Sequence, residues 1–197
     1  SMIELASQVG ISKTKPLANL SAFLTDCIST GRFIHYLPPY RADHKLYLEH
    51  VLGIHSDEQK KYSSMELIKA IVDLRSVKSA EEISAIEEAC AIGYEMHVTA
   101  MKMAINGKTE RNIVSALEAI PAKYGGMLSF PIILSQNGQI LHNHDHSQSL
   151  QPGRLLLVDA GAENAMGYAS DFTRTLSVGG KYTTKQREIY QVVLAAN

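Results

Sequence analysis

Hydrophobic residues recur every three or four positions through most of this chain, a pattern that predicts amphipathic helices. The predicted helices cover residues 3–9, 17–30, 43–52, 64–74, 79–105 and 109–124, and a last one that begins at residue 183. Ser79 and Glu82 have the spacing of a capping box, so we expect the longest helix to begin directly after Ser79.

Short apolar and alternating runs predict strands in the second half of the chain. Residues 130–134 and 139–143 flank an Asn-Gly pair, which is typical of a hairpin. Leu155–Val158 is continuously apolar, and 168–176 mixes aromatic and β-branched residues with polar ones, so we expect a second hairpin there. The order helix, helix, hairpin, hairpin, helix is typical of an α+β fold with antiparallel strands.

The first part of the chain contains one predicted strand, Arg32–Leu37, among several helices. A lone strand leaves its backbone N–H and C=O groups without partners, so we expect its neighbours to be supplied from elsewhere. We therefore divide the chain into two regions, 1–74 and 75–197.

Two aspartates in the second hairpin form the first candidate site. A hairpin centred on Ala165 places Asp159 directly opposite Asp171, with Cβ atoms about 4.5–5.5 Å apart. Two carboxylates that close do not both stay ionised without compensation, and a pair of divalent cations supplies it. The alternative is a solvated hairpin in which both aspartates are turn or cap residues.

Histidines form the second candidate site. His142, His144 and His146 alternate, so on a strand they would share one face, and three imidazoles can hold a zinc ion. The alternative is a polar strand end that runs into a loop. His97 lies on the inner stripe of the long helix and is interpreted as a core or rim histidine.

Composition narrows the function classes. Hydrophobic residues make up 45% of the chain and charged residues 20%, as in ordinary globular proteins. The net charge of −1 argues against nucleic acid or an anionic membrane surface as a partner, and no apolar run is long enough to span a membrane. Cys27 and Cys90 lie in predicted helices and indicate free thiols in a reducing compartment, so we expect a cytoplasmic protein.

The segments 159–163 (DAGAE) and 167–175 (GYASDFTRT) resemble the metal-binding hairpin of the Xaa-Pro aminopeptidase and prolidase family, the pita-bread metallopeptidases. Three further segments match that family: Asn137–His142, Leu150–Gly153 and Thr183–Tyr190. The resemblance spans roughly residues 75–197. It implies the first half of a pita-bread catalytic domain, preceded in 1–74 by the C-terminal portion of an α/β N-terminal domain.

The resemblance also implies residue roles and an activity, the cleavage of Xaa-Pro bonds in proline-containing peptides. Asp159 would ligate one of two divalent ions, often manganese, and Asp171 would bridge both. His142 would contact the substrate and stabilise the reacting carbonyl, and Thr173 would orient a ligand through its hydroxyl. Phe130 would be an aromatic pocket residue. His144 and His146 are then expected at the pocket rim or in solvent.

Two departures from the family pattern affect these expectations. The loop between the aspartates holds an extra residue around Asn164–Met166, and a histidine and two glutamates that the family uses after Asp171 have no counterpart here. We therefore expect the middle of a longer enzyme, with little or no peptidase activity, weak or no metal binding, and self-association, most simply as a dimer. The alternatives are a non-catalytic binding module on this fold, which the retained aspartates and His142 argue against, or a methionine aminopeptidase or creatinase.

Overall fold

The computed structural model describes residues 1–197, which form two compact units, Ser1–Val77 and Lys78–Asn197. The first unit is helical. Its elements are α1 (Met2–Gln8), a short 3-10 turn (Leu17–Asn19), α2 (Leu20–Ser29), α3 (Ala42–Leu52) and α4 (Met65–Ser76). That this unit is the rear of a larger α/β domain stays a prediction.

The predicted strand Arg32–Leu37 is wrong, because the segment is extended but pairs with no other strand. Hydrogen bonds to a loop and a helix start hold it instead. Ser64 N donates to Tyr36 O at 3.0 Å, and the His35 ring bonds the Ser64 hydroxyl at 2.7 Å. The Tyr36 hydroxyl donates to Gln59 O at 2.8 Å. The unit therefore satisfies part of this segment's backbone without a sheet.

The second unit combines three helices with five short strands. They are α5 (Ala80–Met103), α6 (Glu110–Lys123), β1 (Met127–Leu128), β2 (Ile133–Ser135), β3 (Leu155–Ala160), β4 (Ala162–Glu163), β5 (Phe172–Ser177) and α7 (Thr184–Ala196). The capping box at the start of α5 is confirmed, since Glu82 N donates to the Ser79 hydroxyl and Ser79 N donates to the Glu82 carboxylate. No helix of the chain is both long and apolar enough to cross a membrane.

The central sheet is antiparallel, with strand order β2-β3-β5, while β1 pairs separately with β4. Burial alternates along β3: Leu156, Val158 and Ala160 are fully buried, whereas Asp159 is half-buried. The buried face packs on α5 and α6, whose Met96 and Leu117 are also inaccessible to solvent. The predicted α+β class is therefore confirmed, and the layer arrangement leaves Asp159 on the sheet face away from these helices.

The predicted hairpin of 130–134 with 139–143 is wrong. β2 pairs with β3, with Ile133 opposite Asp159, and residues 136–148 form an irregular loop. Polar side chains take the place of a return strand. Asn143 Nδ2 donates to the Ser135 hydroxyl at 3.1 Å, and Arg154 Nη2 donates to Asn137 Oδ1 at 2.8 Å.

Candidate active site

Asp159 lies near the end of β3, and its partner across the sheet is Thr173 on β5. The Thr173 hydroxyl donates to Asp159 Oδ1 at 2.9 Å, so the two side chains share a face of the sheet. The predicted register, with Asp159 directly opposite Asp171, is therefore wrong by two residues. The hairpin is centred on Met166, one residue later than the expected Ala165.

Asp171 precedes β5 and lies two residues before Thr173, so strand alternation places it on the same face as Thr173 and Asp159. Burial agrees with this placement. Ser170 is buried and Phe172 is half-buried towards α5, whereas Asp171 and Thr173 are exposed. Asp171 is therefore the diagonal neighbour of Asp159, at a Cβ separation of roughly 7 Å or less.

Helix α5 packs against the strands that carry the aspartates, on the face of the sheet opposite to the aspartates. The buried His97 ring donates from Nε2 to Ala160 O at 3.1 Å, one residue after Asp159. The same ring packs edge-on against Phe172, with ring centroids 6.0 Å apart. Burial holds the pKa of His97 below its ordinary value, so the ring is neutral at neutral pH. The interpretation of His97 as a core histidine agrees with this environment, and its position beneath the two aspartates emerges only in the fold.

The tip of the aspartate hairpin is also anchored on α5. Asn164 is buried, and its Nδ2 donates to Ala85 O at 3.0 Å and to Glu88 Oε2 at 2.9 Å. Its Oδ1 accepts the backbone N–H groups of Met166 and Tyr168. The extra residue around Asn164–Met166 therefore sits in an ordered turn that leaves the face of the aspartates unchanged.

His142 lies at the exposed end of the 136–148 loop, not on a strand. Its φ of 52° is the only positive value at a non-glycine residue of the chain. The prediction that three alternating histidines share one strand face is therefore wrong. The rings of His144 and His146 instead bond the carbonyl oxygens of Ile132 and Leu134, at 3.3 and 3.1 Å, along the outer edge of β2.

No group of three or more His, Cys, Asp or Glu side chains of the chain lies close enough together to hold a metal ion. The hypothesis of a separate three-histidine zinc site is therefore wrong. His146 is buried, with 7% of its surface exposed, so it does not lie in solvent. His144 remains exposed, as expected.

Phe130 is half-buried and lines a shallow pocket at the edge of β2 together with Glu118, His144 and His146. Neither aspartate lines this pocket, and neither does His142. The structure thus brings Asp159, Asp171 and Thr173 together on one face and groups Phe130 with the two other histidines. His142 lines a pocket with neither set.

The carboxylate oxygens of the two aspartates are suitable ligands for a divalent cation. Neither carboxylate forms an ion pair, although Arg174 lies nearby and stacks over Phe172 instead. Adjacent carboxylates without a compensating cation suit hard divalent ions, which prefer oxygen ligands. Two carboxylates are nonetheless only part of a coordination sphere.

One buried acid is absent from the sequence-based candidates. Glu110 is completely inaccessible to solvent, and its Oε1 accepts the N–H of Gln136 at 2.7 Å. From the sequence it is the first residue of α6 after the cap Thr109, where an acid is normally solvated and favoured by the helix dipole. The pattern therefore contains no signal that distinguishes it from a surface residue.

Comparison with known proteins identifies the class. The model of metallopeptidase family M24 matches residues 84–197, more than half of the chain, and the chain belongs to this family. The Xaa-Pro aminopeptidase of Escherichia coli is 37% identical over 125 residues, which are 62% of this chain and 28% of that enzyme. The Xaa-Pro dipeptidase of Pyrococcus furiosus is 35% identical over 129 residues, or 64% of this chain and 36% of that enzyme.

Solved structures give the same fold. Aminopeptidase P from Escherichia coli matches with a TM-score of 0.78 at 25% identity, over 96% of this chain and 45% of that one. Prolidase from Pyrococcus furiosus matches with a TM-score of 0.61 at 32% identity, over 71% of this chain and 43% of that one. The pita-bread fold and the family predicted from the sequence are therefore confirmed. The chain spans about a third of the length of these curated relatives.

Proposed function

We propose that residues 78–197 carry part of the active site of a metal-dependent peptidase that cleaves Xaa-Pro bonds. The observation that carries the proposal is the placement of Asp159 and Asp171 on one open face of the sheet, inside the region that matches family M24. The names of the relatives, Xaa-Pro aminopeptidase and Xaa-Pro dipeptidase, support the substrate class.

Asp159 and Asp171 would hold the divalent ions that the family implies, and manganese suits their carboxylate oxygens. When bound, such a pair of ions activates a water molecule and polarises the scissile carbonyl. Thr173 orients Asp159 by donating a hydrogen bond to Oδ1, which leaves Oδ2 directed to other ligands. Because His97 and Phe172 hold the two strands from behind, the carboxylates stay in fixed positions on their common face.

His142 would donate a hydrogen bond to the substrate carbonyl oxygen as negative charge develops there. Its exposed ring makes no hydrogen bond within the chain and is therefore available to a ligand. Phe130 would provide an apolar wall for the proline ring. Phe130 and His142 line no common cavity with the aspartates, so in this proposal the bound peptide spans the distance between these groups.

The chain by itself is expected to bind metal weakly and to lack turnover. Two carboxylates joined by no third His, Cys, Asp or Glu ligand leave most coordination positions to water. Near-stoichiometric manganese retained after dialysis of the 197-residue chain would contradict this expectation, as would cleavage of an Xaa-Pro peptide.

We further propose that the chain self-associates and acts in the cytoplasm. Helix α7 exposes a row of apolar side chains, Ile189, Val193 and Leu194, which are 60–64% exposed. An apolar groove runs between this row and β5, and exposed patches of this kind mark interaction sites. Both cysteines are free, which suits a reducing compartment. Light scattering that shows a monomer at high concentration would contradict the dimer.

The experiment that tests the function uses the full-length product of the gene that encodes this sequence. Wild type, Asp171→Asn and the control Asp73→Asn are assayed with manganese on a short Xaa-Pro peptide and on the same peptide with alanine in place of proline. We expect proline-dependent cleavage by wild type and Asp73→Asn only. A wild-type enzyme that cleaves neither peptide would reject the proposed function.

A further inference from the structure

Glu110 is a fully buried acid with one oxygen paired and one not. Its Oε1 accepts the Gln136 N–H at 2.7 Å, while Oε2 is buried without a partner. A buried carboxylate is costly unless it is hydrogen-bonded, and the first turn of α6 offsets part of this cost through its dipole. The single strong contact of Glu110 is thus made to the first residue of the loop that carries His142.

Gln136 extends this contact to the other end of the loop. Its side chain donates from Nε2 to Ser149 O at 2.9 Å and accepts the Gln151 N–H at 2.7 Å. Arg154 Nη2 donates to Gln136 O at 3.1 Å. Gln136 is 6% exposed and its bond to Glu110 is buried, where hydrogen bonds are strengthened, while its bonds to Ser149, Gln151 and Arg154 are partly buried.

The returning arm of the loop rests on the same turn of α6. Glu110 N donates to Gln148 O at 2.9 Å, and Arg111 N donates to His146 O at 3.0 Å. Both arms therefore converge on Glu110. Between the arms, Asn143 Nδ2 donates to the Ser135 hydroxyl at 3.1 Å and the His144 ring bonds Ile132 O at 3.3 Å, whereas the His142 ring makes no hydrogen bond of its own.

We infer that Glu110 is a positioning residue that sets the place of His142 by clamping both arms of the 136–148 loop through Gln136. The inference rests on the proposed function for the role of His142. The clamp itself is a property of this chain and can be tested without peptidase activity. A residue that acts only on overall stability would loosen the whole second unit, whereas a clamp would loosen the loop alone.

The first test is amide hydrogen exchange of the 197-residue chain in wild type, Glu110→Gln, Glu110→Ala and the control Glu87→Gln, an exposed acid on α5. Loss of the hydrogen bond to the Gln136 N–H predicts exchange about 10- to 100-fold faster across 136–151 in Glu110→Ala, and a smaller acceleration, of about a few-fold, in Glu110→Gln, whose amide oxygen still accepts that N–H. Exchange in β3 and β5 and in the control should stay unchanged. Equal acceleration throughout the second unit would overturn the inference, as would an unchanged loop. Glu110→Gln keeps the side-chain shape, so a result remains available if Glu110→Ala fails to fold.

The second test is a double-mutant cycle in the full-length enzyme between Glu110→Gln and His142→Ala. We expect Glu110→Gln, which weakens the bond to Gln136, to lower kcat by about a few-fold with a smaller change in KM, and to add little once His142 is replaced. Additive losses in the cycle would overturn the inference. A wild-type enzyme without activity would reject the proposed function but leave the exchange result intact.

Discussion

Replacing Gly161 with alanine should strongly destabilise the hairpin that carries the aspartates. Gly161 lies where β3 ends and β4 begins, and the strand that follows Asp159 there comes very close to Ser170. A Cβ added at Gly161 would lie 1.9 Å from Ser170 O and 2.6 Å from the Ser129 hydroxyl. A carbon and a carbonyl oxygen rest about 3.3–3.6 Å apart, so the backbones would have to separate by roughly 1.5 Å.

That separation would disturb three hydrogen bonds. Ser129 N donates to Gly161 O at 3.2 Å, the Ser129 hydroxyl donates to Ser170 O at 2.7 Å, and Ser170 N donates to Ala162 O at 2.8 Å. Overpacking costs about 1–3 kcal/mol, and the loss of one of these three hydrogen bonds adds about 1 kcal/mol. We therefore expect the free energy of unfolding of the second unit to fall by about 2–4 kcal/mol.

The assay is urea unfolding followed by circular dichroism, together with hydrogen exchange at residues 158–162 to isolate the second unit. Gly138→Ala is the matched control, because its Cβ would lie 3.3 Å from Leu157 Cβ, a contact that small shifts relieve. We expect the control to lose less than about 1 kcal/mol. Equal losses in the two variants would refute the close approach at Gly161 and the strand placement derived from it.

Three further predictions concern stability. Because burial lowers the pKa of His97, the unfolded chain takes up a proton at this residue before the folded chain does as the pH falls. The free energy of unfolding should therefore decrease from about pH 6.5 down through the folded pKa, and His97→Phe should flatten this slope in urea titrations. Ser79→Ala should cost about 1 kcal/mol through loss of the α5 cap, and an unchanged melting midpoint would contradict the capping box. Asp171→Asn should leave the melting midpoint unchanged or raise it in chelator, since it removes one of two neighbouring like charges; a clear drop in chelator would show that Asp171 stabilises the fold without metal.

The placement of the aspartates was predictable because side chains alternate along a strand. The error of two residues in the partner of Asp159 preserved the face, since a shift by an even number of residues keeps each side chain on its side. A shift by one residue would have turned Asp171 to the helix side. The error in the turn therefore changed the predicted distance between the two aspartates but not the face of the sheet on which they lie.

The histidines were less predictable because alternation has meaning only where a strand exists. The Asn-Gly pair correctly indicated a turn, but β2 found its partner in β3, and residues 139–143 were left in a loop. The rings of His144 and His146 instead donate hydrogen bonds to backbone carbonyls on the outer edge of β2. A local sequence pattern does not specify which distant strand pairs with β2.

The most direct test of the account is the site at which Mn²⁺ first perturbs the chain. In a titration followed by NMR, paramagnetic broadening should begin at the amides around Asp159 and Asp171, at a weak affinity, and should vanish in the Asp159→Asn, Asp171→Asn double variant. Broadening that begins at His144 and His146, or that persists unchanged in the double variant, would contradict the assignment of these aspartates as metal ligands.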